Sequence, residues 1–229
     1  AGTDEPVALN TDVVVALHAL HSGPEALRVR AAVGAPLVVS FRGTDVDPGL
    51  SDPESRATIA RVLDAAAAVT ALSDAQATRL VAEFDGLSAR IHVIPHSVTV
   101  TPRSRAACRA RLGLPEDAPI LAHVASVRGV KGFPGALDVI DAAHAARPAL
   151  RYVHAGAVLD ARLGAHFAAW VADRPWARSL GEVTREQALD VIAAADVSFH
   201  WSAAERLSNA LLESLALRVP TVARDRAAA

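Results

Sequence analysis

The 229-residue sequence has no methionine, a single cysteine and few aromatic residues, 4% in all. With only Cys108 present, no disulfide can form within the chain, which fits a reducing, cytoplasmic compartment. In its setting, "RSRAACRARLG", Cys108 reads as a small helix residue. The scarcity of aromatics leaves alanine, valine and leucine to fill the core of a chain that is 52% hydrophobic. No apolar run approaches the roughly 18–20 residues that cross a bilayer. The longest candidate, "LDAAAAVTAL", reads as a helix end followed by a strand. No signal peptide is visible, so any membrane contact is peripheral. Net charge is −2 with no basic stripe, which argues against a nucleic-acid partner. His18 and His21 fit a metal pair only loosely, and two histidines are too few for a site. No metal or cofactor is predicted. A chain that starts at Ala1 and contains no methionine reads as a fragment or a processed form.

What the chain does contain is a regular alternation. "DVVVALHAL", "PLVVSF", "AAVTALS" and "IHVIP" are strand candidates, separated by the helical patterns "SGPEALRVRAAVG", "RATIARVLDAA" and "DAQATRLVAEF". Ser22 is the expected cap of the first helix and Gly34 its stop, and "GTDVDPGLSDPES" reads as a loop. The polar, aperiodic stretch 96–105 reads as a linker. Alternation then resumes with strands at "PILAHVASV", "LRYVHAG", "ARSLG", "DVSFHWS" and "VPTVA" and helices between them. Continuously apolar strands imply burial on both faces, as in parallel sheets. The prediction is an α/β chain of two Rossmann-like lobes: residues 1–100 form a first, incomplete lobe and residues 101–229 a second one.

Lysine and arginine number 23, and all but Lys131 are arginine. Lys131 lies in "VASVRGVKGFPG", between a predicted strand ending near Ala125 and a helix beginning near Phe133. Ligands of open α/β sheets bind at the carboxyl ends of strands, where helix N-termini favour phosphate. Gly129 and Gly132 permit a tight turn, and Arg128 and Lys131 can grip phosphate oxygens as a fork and a point charge. A solvated basic turn would show the same residues. Further on, Glu205 and Glu213 stand eight positions apart in "WSAAERLSNALLESLALRVPTVARD". Ser202 and Glu205 also fit a capping box, with Glu213 then an ordinary exposed helix residue.

These residues stand in a longer pattern. The stretch from "SLGEV" through "AADV", the two glutamates with "SNALLE" between them, and "VPTVARD" resembles the donor-binding end of family 4 glycosyltransferases of the GT-B fold. Upstream, "PLVVSFRGTDV", "VTALSDAQATRL", "IHVIPHSV", "VASVRGVKG" and "YVHAGAVLD" resemble the same family in the same order, from about Asp12 to Asp225.

The resemblance implies a retaining, metal-independent enzyme that moves a sugar from a nucleoside diphosphate donor to an acceptor, with no cofactor. Glu213 would accept hydrogen bonds from the ribose hydroxyls, and Glu205 would contact the donor sugar. The backbone at Leu207, Ser208 and Asn209 would meet the diphosphate, and Gly181, Glu182 and Val183 would form the turn beside the base. Lys131 and Arg128 would stabilise charge on the leaving diphosphate. Thus Glu205, Lys131 and Arg128 are the catalytic candidates. In the first lobe, Arg42, Gly43, Thr44 and Asp45 would face the sugar and an unidentified acceptor, with His21 lining the cleft and His18 a polar strand end. His96 would sit at the hinge. The glycine-rich turn of the family's first strand is missing, so the first lobe is expected to lack its opening strands. Two alternatives accompany this reading: a related GT-B enzyme that joins selenium to the sugar, and a nucleotide-binding chain without turnover.

Overall fold

The computed structural model describes residues 11–43, 45–202 and 208–224. The chain divides into two compact units, Ala1–His96 and Ser97–Ala229. Both are built on parallel sheets.

The first unit carries strands β1 (Val14–Leu17), β2 (Leu37–Ser40), β3 (Ala66–Ala71) and β4 (Ile91–Val93) in that spatial order. Helices α1 (Gly23–Val33) and α3 (Pro53–Ala65) pack on each other and against the first three strands, and α4 (Asp74–Glu83) packs against β3 and β4. Its core joins Leu37, Val39 and Phe41 to Ile59, Val62, Leu63 and Leu80. Gly34 ends α1 in the left-handed conformation, φ 72°. Ser22 stands before α1 but does not cap it, because its hydroxyl donates to the His18 carbonyl at 2.9 Å. The stretch expected to be a loop holds a short helix, α2 (Asp47–Ser51), and the start of α3. The reason is local: Asp52 accepts a hydrogen bond from Ser55 N at 2.8 Å and caps α3, with Pro53 in the first turn.

The second unit carries β5 (Ile120–Val124), β6 (Arg151–Ala155), β7 (Ala177–Ser179), β8 (Val197–His200) and β9 (Thr221–Ala223), in the spatial order β7-β6-β5-β8-β9. One face holds the aromatic core: Phe133, Tyr152, Phe167, Trp170 and Phe199 with Leu137 and Ile140 of α6 (Gly135–Ala146). Phe167 and Trp170 belong to α7 (Ala161–Ala172). The other face is aliphatic, with Ile120, Ala122, Val153 and Ala155 packed under Val191 and Ile192 of α8 (Arg185–Ala194). Helix α5 (Arg105–Leu112) docks on α8 through charge as well as Cys108, which is fully buried. Arg103 and Arg111 bind Asp190, while Arg105 and Arg109 bind Asp196. Helix α9 (Asn209–Ala216) is capped by Ser208, whose Oγ accepts from Leu211 N. A capping box from Ser202 is therefore not what starts this helix, and the Ser202 hydroxyl instead donates to the Val130 carbonyl at 2.9 Å.

Chain order reverses between β5 and β8. From β5 the sheet grows through β6 to β7, and β8 returns to the other side of β5 and adds β9. Loops leaving the carboxyl ends of β5 and β8 diverge to opposite faces, and such a switch point opens the crevice in which doubly wound sheets bind ligands.

Candidate functional site

The segment after β5 occupies the switch point. Arg128 is extended, φ −162° and ψ 160°, and leads into a 3₁₀ turn, Gly129–Lys131. Gly132 closes the turn with its N–H on the Gly129 carbonyl and φ of 84°. A Cβ on Gly132 would run into the Trp201 carbonyl just beyond β8. Together with the Ser202–Val130 hydrogen bond, this close approach locks the lysine turn to the end of β8. Gly156, after β6, is placed in the same way: a Cβ there would meet the Ala125 carbonyl. Helix α6 consequently starts at Gly135, two residues later than the helical pattern suggests, because the turn takes up the intervening chain.

Three buried histidines stand at the carboxyl ends of the strands around this turn: His123 of β5, His154 of β6 and His200 of β8, of which His123 and His200 feel the Lys131 charge. His123 and His154 are register partners on the aromatic face. His123 Nδ1 lies 3.0 Å from the Tyr152 hydroxyl, and its ring stacks on Phe133 at 5.2 Å. Burial holds its pKa well below the ordinary value, and the neighbouring imidazoles and Lys131 add to this. His154 donates from Nε2 to the Ala125 carbonyl at 2.8 Å, so Nδ1 accepts from the Ser179 hydroxyl at 3.1 Å. Burial takes His154 down to about 4, against the raising effect of that carbonyl. His200 lies on the opposite face, between β8 and α9, and is also lowered to about 4, by burial first and then by the Lys131 charge.

Glu213 of α9 is 6% exposed, so it is not an ordinary surface residue. Its Oε1 accepts from Arg185 Nε at 3.1 Å, and the same guanidinium donates to the Thr99 carbonyl at 2.9 Å. Gly181 turns with φ 68°, its carbonyl accepting from Gly156 N at 2.7 Å and its N–H donating to Ser179 Oγ at 3.3 Å. Glu182 is exposed, and Val183 packs on the aliphatic core. Thr184 and Gln187 then form a capping box that starts α8. The second unit thus gathers Arg128, Lys131, Gly181–Val183, Ser208, Asn209 and Glu213 around the carboxyl ends of its strands. Glu205 and Leu207, and Thr44 of the first unit, lie outside the described residues.

In the first unit, Asp45 is fully buried and does not line a surface, contrary to the expectation that it would face a ligand. Its Oδ2 accepts from Ala19 N at 3.0 Å and its Oδ1 from the Arg42 and Gly43 amides, each at 2.9 Å. The carboxylate therefore ties the loop after β1 to the loop after β2. His18, just past β1, has φ 117° and lies 3.8 Å from Asp45; its ring stacks on exposed His21 at 4.2 Å. Burial lowers its pKa, with Asp45 opposing and His21 assisting. Arg42 is exposed and donates to His96 Nδ1 at 3.1 Å.

Sequence reasoning missed His123, His154 and His200. Each sits at or next to the last residue of an apolar strand, "LAHV", "YVHA" and "SFH". A polar residue recurring at that strand position is the signal that marks them. Among the described residues, no group of three or more histidine, cysteine or acidic side chains stands close enough to hold a metal ion. No described helix is long and apolar enough to cross a membrane.

Known proteins share this architecture. Residues 7–97 match the family described as glycosyl transferase 4-like domain. The D-inositol 3-phosphate glycosyltransferase of Nocardioides sp. (strain ATCC BAA-499 / JS614) is 32% identical over 149 residues, covering 60% of this chain and 32% of that protein. Among solved structures, Anabaena Alr3699/HepE in complex with UDP and glucose superposes with a TM-score of 0.73 at 20% identity, covering 93% of this chain and 58% of that one. Sucrose-phosphate synthase from Thermosynechococcus elongatus gives 0.72 at 20% identity, covering 93% and 55%. The chain spans about a third of the length of the curated relative it matches and under two thirds of these structures. The fold is GT-B, with two Rossmann-like units.

Proposed function

We propose that this chain is a family 4 glycosyltransferase of the GT-B fold that moves a sugar from a nucleoside diphosphate donor to an acceptor, with retention of configuration and without a metal. The observation that carries this reading is the place of Lys131. The only lysine of the chain is fixed at the switch point of the second sheet, on a turn locked to the end of β8. A diphosphate set there meets Lys131 and Arg128. Departure of the nucleoside diphosphate concentrates negative charge on its terminal phosphate, and positive groups already in place stabilise that state more than the intact donor. Buried Glu213 offers carboxylate oxygens to ribose hydroxyls, with Arg185 holding the side chain in place. UDP bound to Anabaena Alr3699/HepE supports a nucleoside diphosphate as the ligand class.

The test is incubation of the full chain with a panel of nucleotide sugars and simple sugar acceptors in the presence of a chelator. Nucleoside diphosphate release is measured, and the anomeric configuration of the product is read by NMR. The reading predicts release that survives chelation and a product with the donor's configuration. An inverted product, or activity abolished by chelator and restored by a divalent cation, contradicts it. Replacing the sugar acceptor by selenophosphate separates the selenium-transferring alternative by product identity, and binding without any release marks the non-enzymatic one.

A further inference from the structure

His200 is unusual for its place. It ends a strand of an aliphatic sheet face, yet it is bound up with two serines, Ser198 two residues earlier on β8 and Ser214 on α9. Three short contacts link them. Nε2 of His200 lies 2.9 Å from Ser198 Oγ, Ser198 Oγ lies 2.8 Å from Ser214 Oγ, and Ser214 Oγ lies 2.7 Å from the Ala210 carbonyl. A carbonyl only accepts, and each hydroxyl has one proton to give. Ser214 therefore donates to Ala210 and accepts from Ser198. Ser198, having donated, accepts from His200, so the proton of the imidazole is on Nε2. The reverse order would leave the Ser214–Ala210 contact with no proton between two oxygens.

The consequence falls on the other ring nitrogen. With Nε2 protonated and the ring neutral, Nδ1 carries a lone pair. Among the described residues it has no hydrogen-bond partner, and it is not among the polar atoms sealed from solvent without one. His200 is the last residue of β8, and the Ser202–Val130 hydrogen bond and the Gly132–Trp201 contact bring the Lys131 turn against that end of the strand, so the ring stands beside the turn. Nearby lie the first turn of α9 and the segment locked to Gly132.

We propose that His200 is a ligand-binding residue, whose Nδ1 accepts a hydrogen bond from a hydroxyl group of the bound nucleotide sugar. This rests on the reading of the second unit as a donor site. A lone pair cannot bind phosphate oxygens, which also only accept. It selects for an O–H, so His200 complements Lys131: the ammonium takes the anionic part of the donor and the imidazole a hydroxyl beside it. That hydroxyl comes from the ribose or from the transferred sugar. Ser198 and Ser214 are positioning residues, since they fix which nitrogen faces the ligand.

The experiment uses the full chain labelled with ¹⁵N-histidine, with the His200 signals assigned by their loss in His200→Gln. In the free protein, long-range ¹H–¹⁵N correlation is expected to show a protonated Nε2 and an unprotonated Nδ1. UDP and UDP-glucose are then added, with calorimetry on the same samples to show binding. The Nδ1 resonance is expected to move towards the hydrogen-bonded range while Nε2 stays protonated. A shift with both ligands places the contact at the ribose, and a shift with UDP-glucose alone places it at the sugar. His200→Gln, which keeps an amide near Ser198 but no acceptor at Nδ1, should weaken the responsible ligand about five- to tenfold. Ser198→Ala should let the proton redistribute between the two nitrogens with the ring still in place. A free protein with Nδ1 protonated overturns the inference, as does binding that leaves Nδ1 unmoved. Absence of any binding by calorimetry overturns the donor-site reading itself, and this inference with it.

Discussion

Gly132 faces the carbonyl of Trp201 so closely that no side chain fits between them. Its φ of 84° is also one that residues with a Cβ rarely adopt. Gly132→Ala should therefore cost about 2–4 kcal/mol, from left-handed strain together with displacement of the β8 end. Gly129, with open space around its Cα, is the control, and Gly129→Ala should be tolerated. Urea unfolding followed by tryptophan fluorescence reads the second unit alone, because Trp170, Trp176 and Trp201 all belong to it. Equal midpoints for the two variants would contradict the packing argument.

Glu213 and Lys131 should fail differently. Glu213 is assigned to ribose hydroxyls, which uridine and UDP share. Glu213→Gln should weaken both ligands by a similar factor, about tenfold or more for loss of a charge-assisted contact. Calorimetry with the two ligands decides. A loss confined to UDP would move Glu213 from the ribose to the phosphates.

Acid should destabilise the second unit before carboxylates titrate. His154 and His200 have folded pKa values of about 4, against roughly 6.5 in an unfolded chain. Between those values the unfolded state binds protons that the folded state does not, so stability falls as pH falls. Each imidazole should remove about 2 kcal/mol between pH 7.5 and 5. The urea midpoint should drop over that range, and His154→Gln should flatten the dependence. A midpoint that does not change with pH would show that the rings are not buried as described.

Asp45 should matter for order in the first unit. Asp45→Asn replaces a carboxylate that accepts three backbone N–H bonds with a group that presents a donor to some of them. A cost of about 2–4 kcal/mol is expected. Amide hydrogen exchange at Ala19, Arg42 and Gly43 should accelerate together. Faster exchange at only one of the three would mean that the carboxylate does not join the two loops.

Every apolar, β-branched run picked out in the sequence holds a strand; burial on both faces explains the unbroken apolar signature of β2, β5, β6 and β8, whereas the edge strands β1, β4 and β9 leave Val15, Leu17, Val93 and Val222 exposed despite the same signature. The order of those strands was not legible, since a crossover can lead to either side of the starting strand. The capping of α1 misled because Ser22 is a suitable residue in a suitable place, yet its hydroxyl goes to His18. The turn of Lys131 was legible from its glycines, but its lock to Trp201 joins residues 69 positions apart and leaves no local trace. The same holds for Glu213, whose hydrogen-bond partner Arg185 stands 28 positions earlier. The three histidines were hidden by the apolar runs that contain them.

The central claim is that Lys131 holds a diphosphate, and calorimetry of the wild-type chain and Lys131→Ala with uridine and UDP tests it most directly. A charge-assisted contact to phosphate is worth about 1.5–3 kcal/mol, so UDP affinity should fall about ten- to hundredfold while uridine affinity stays the same. Equal weakening of both ligands, or no change in either, would contradict the account.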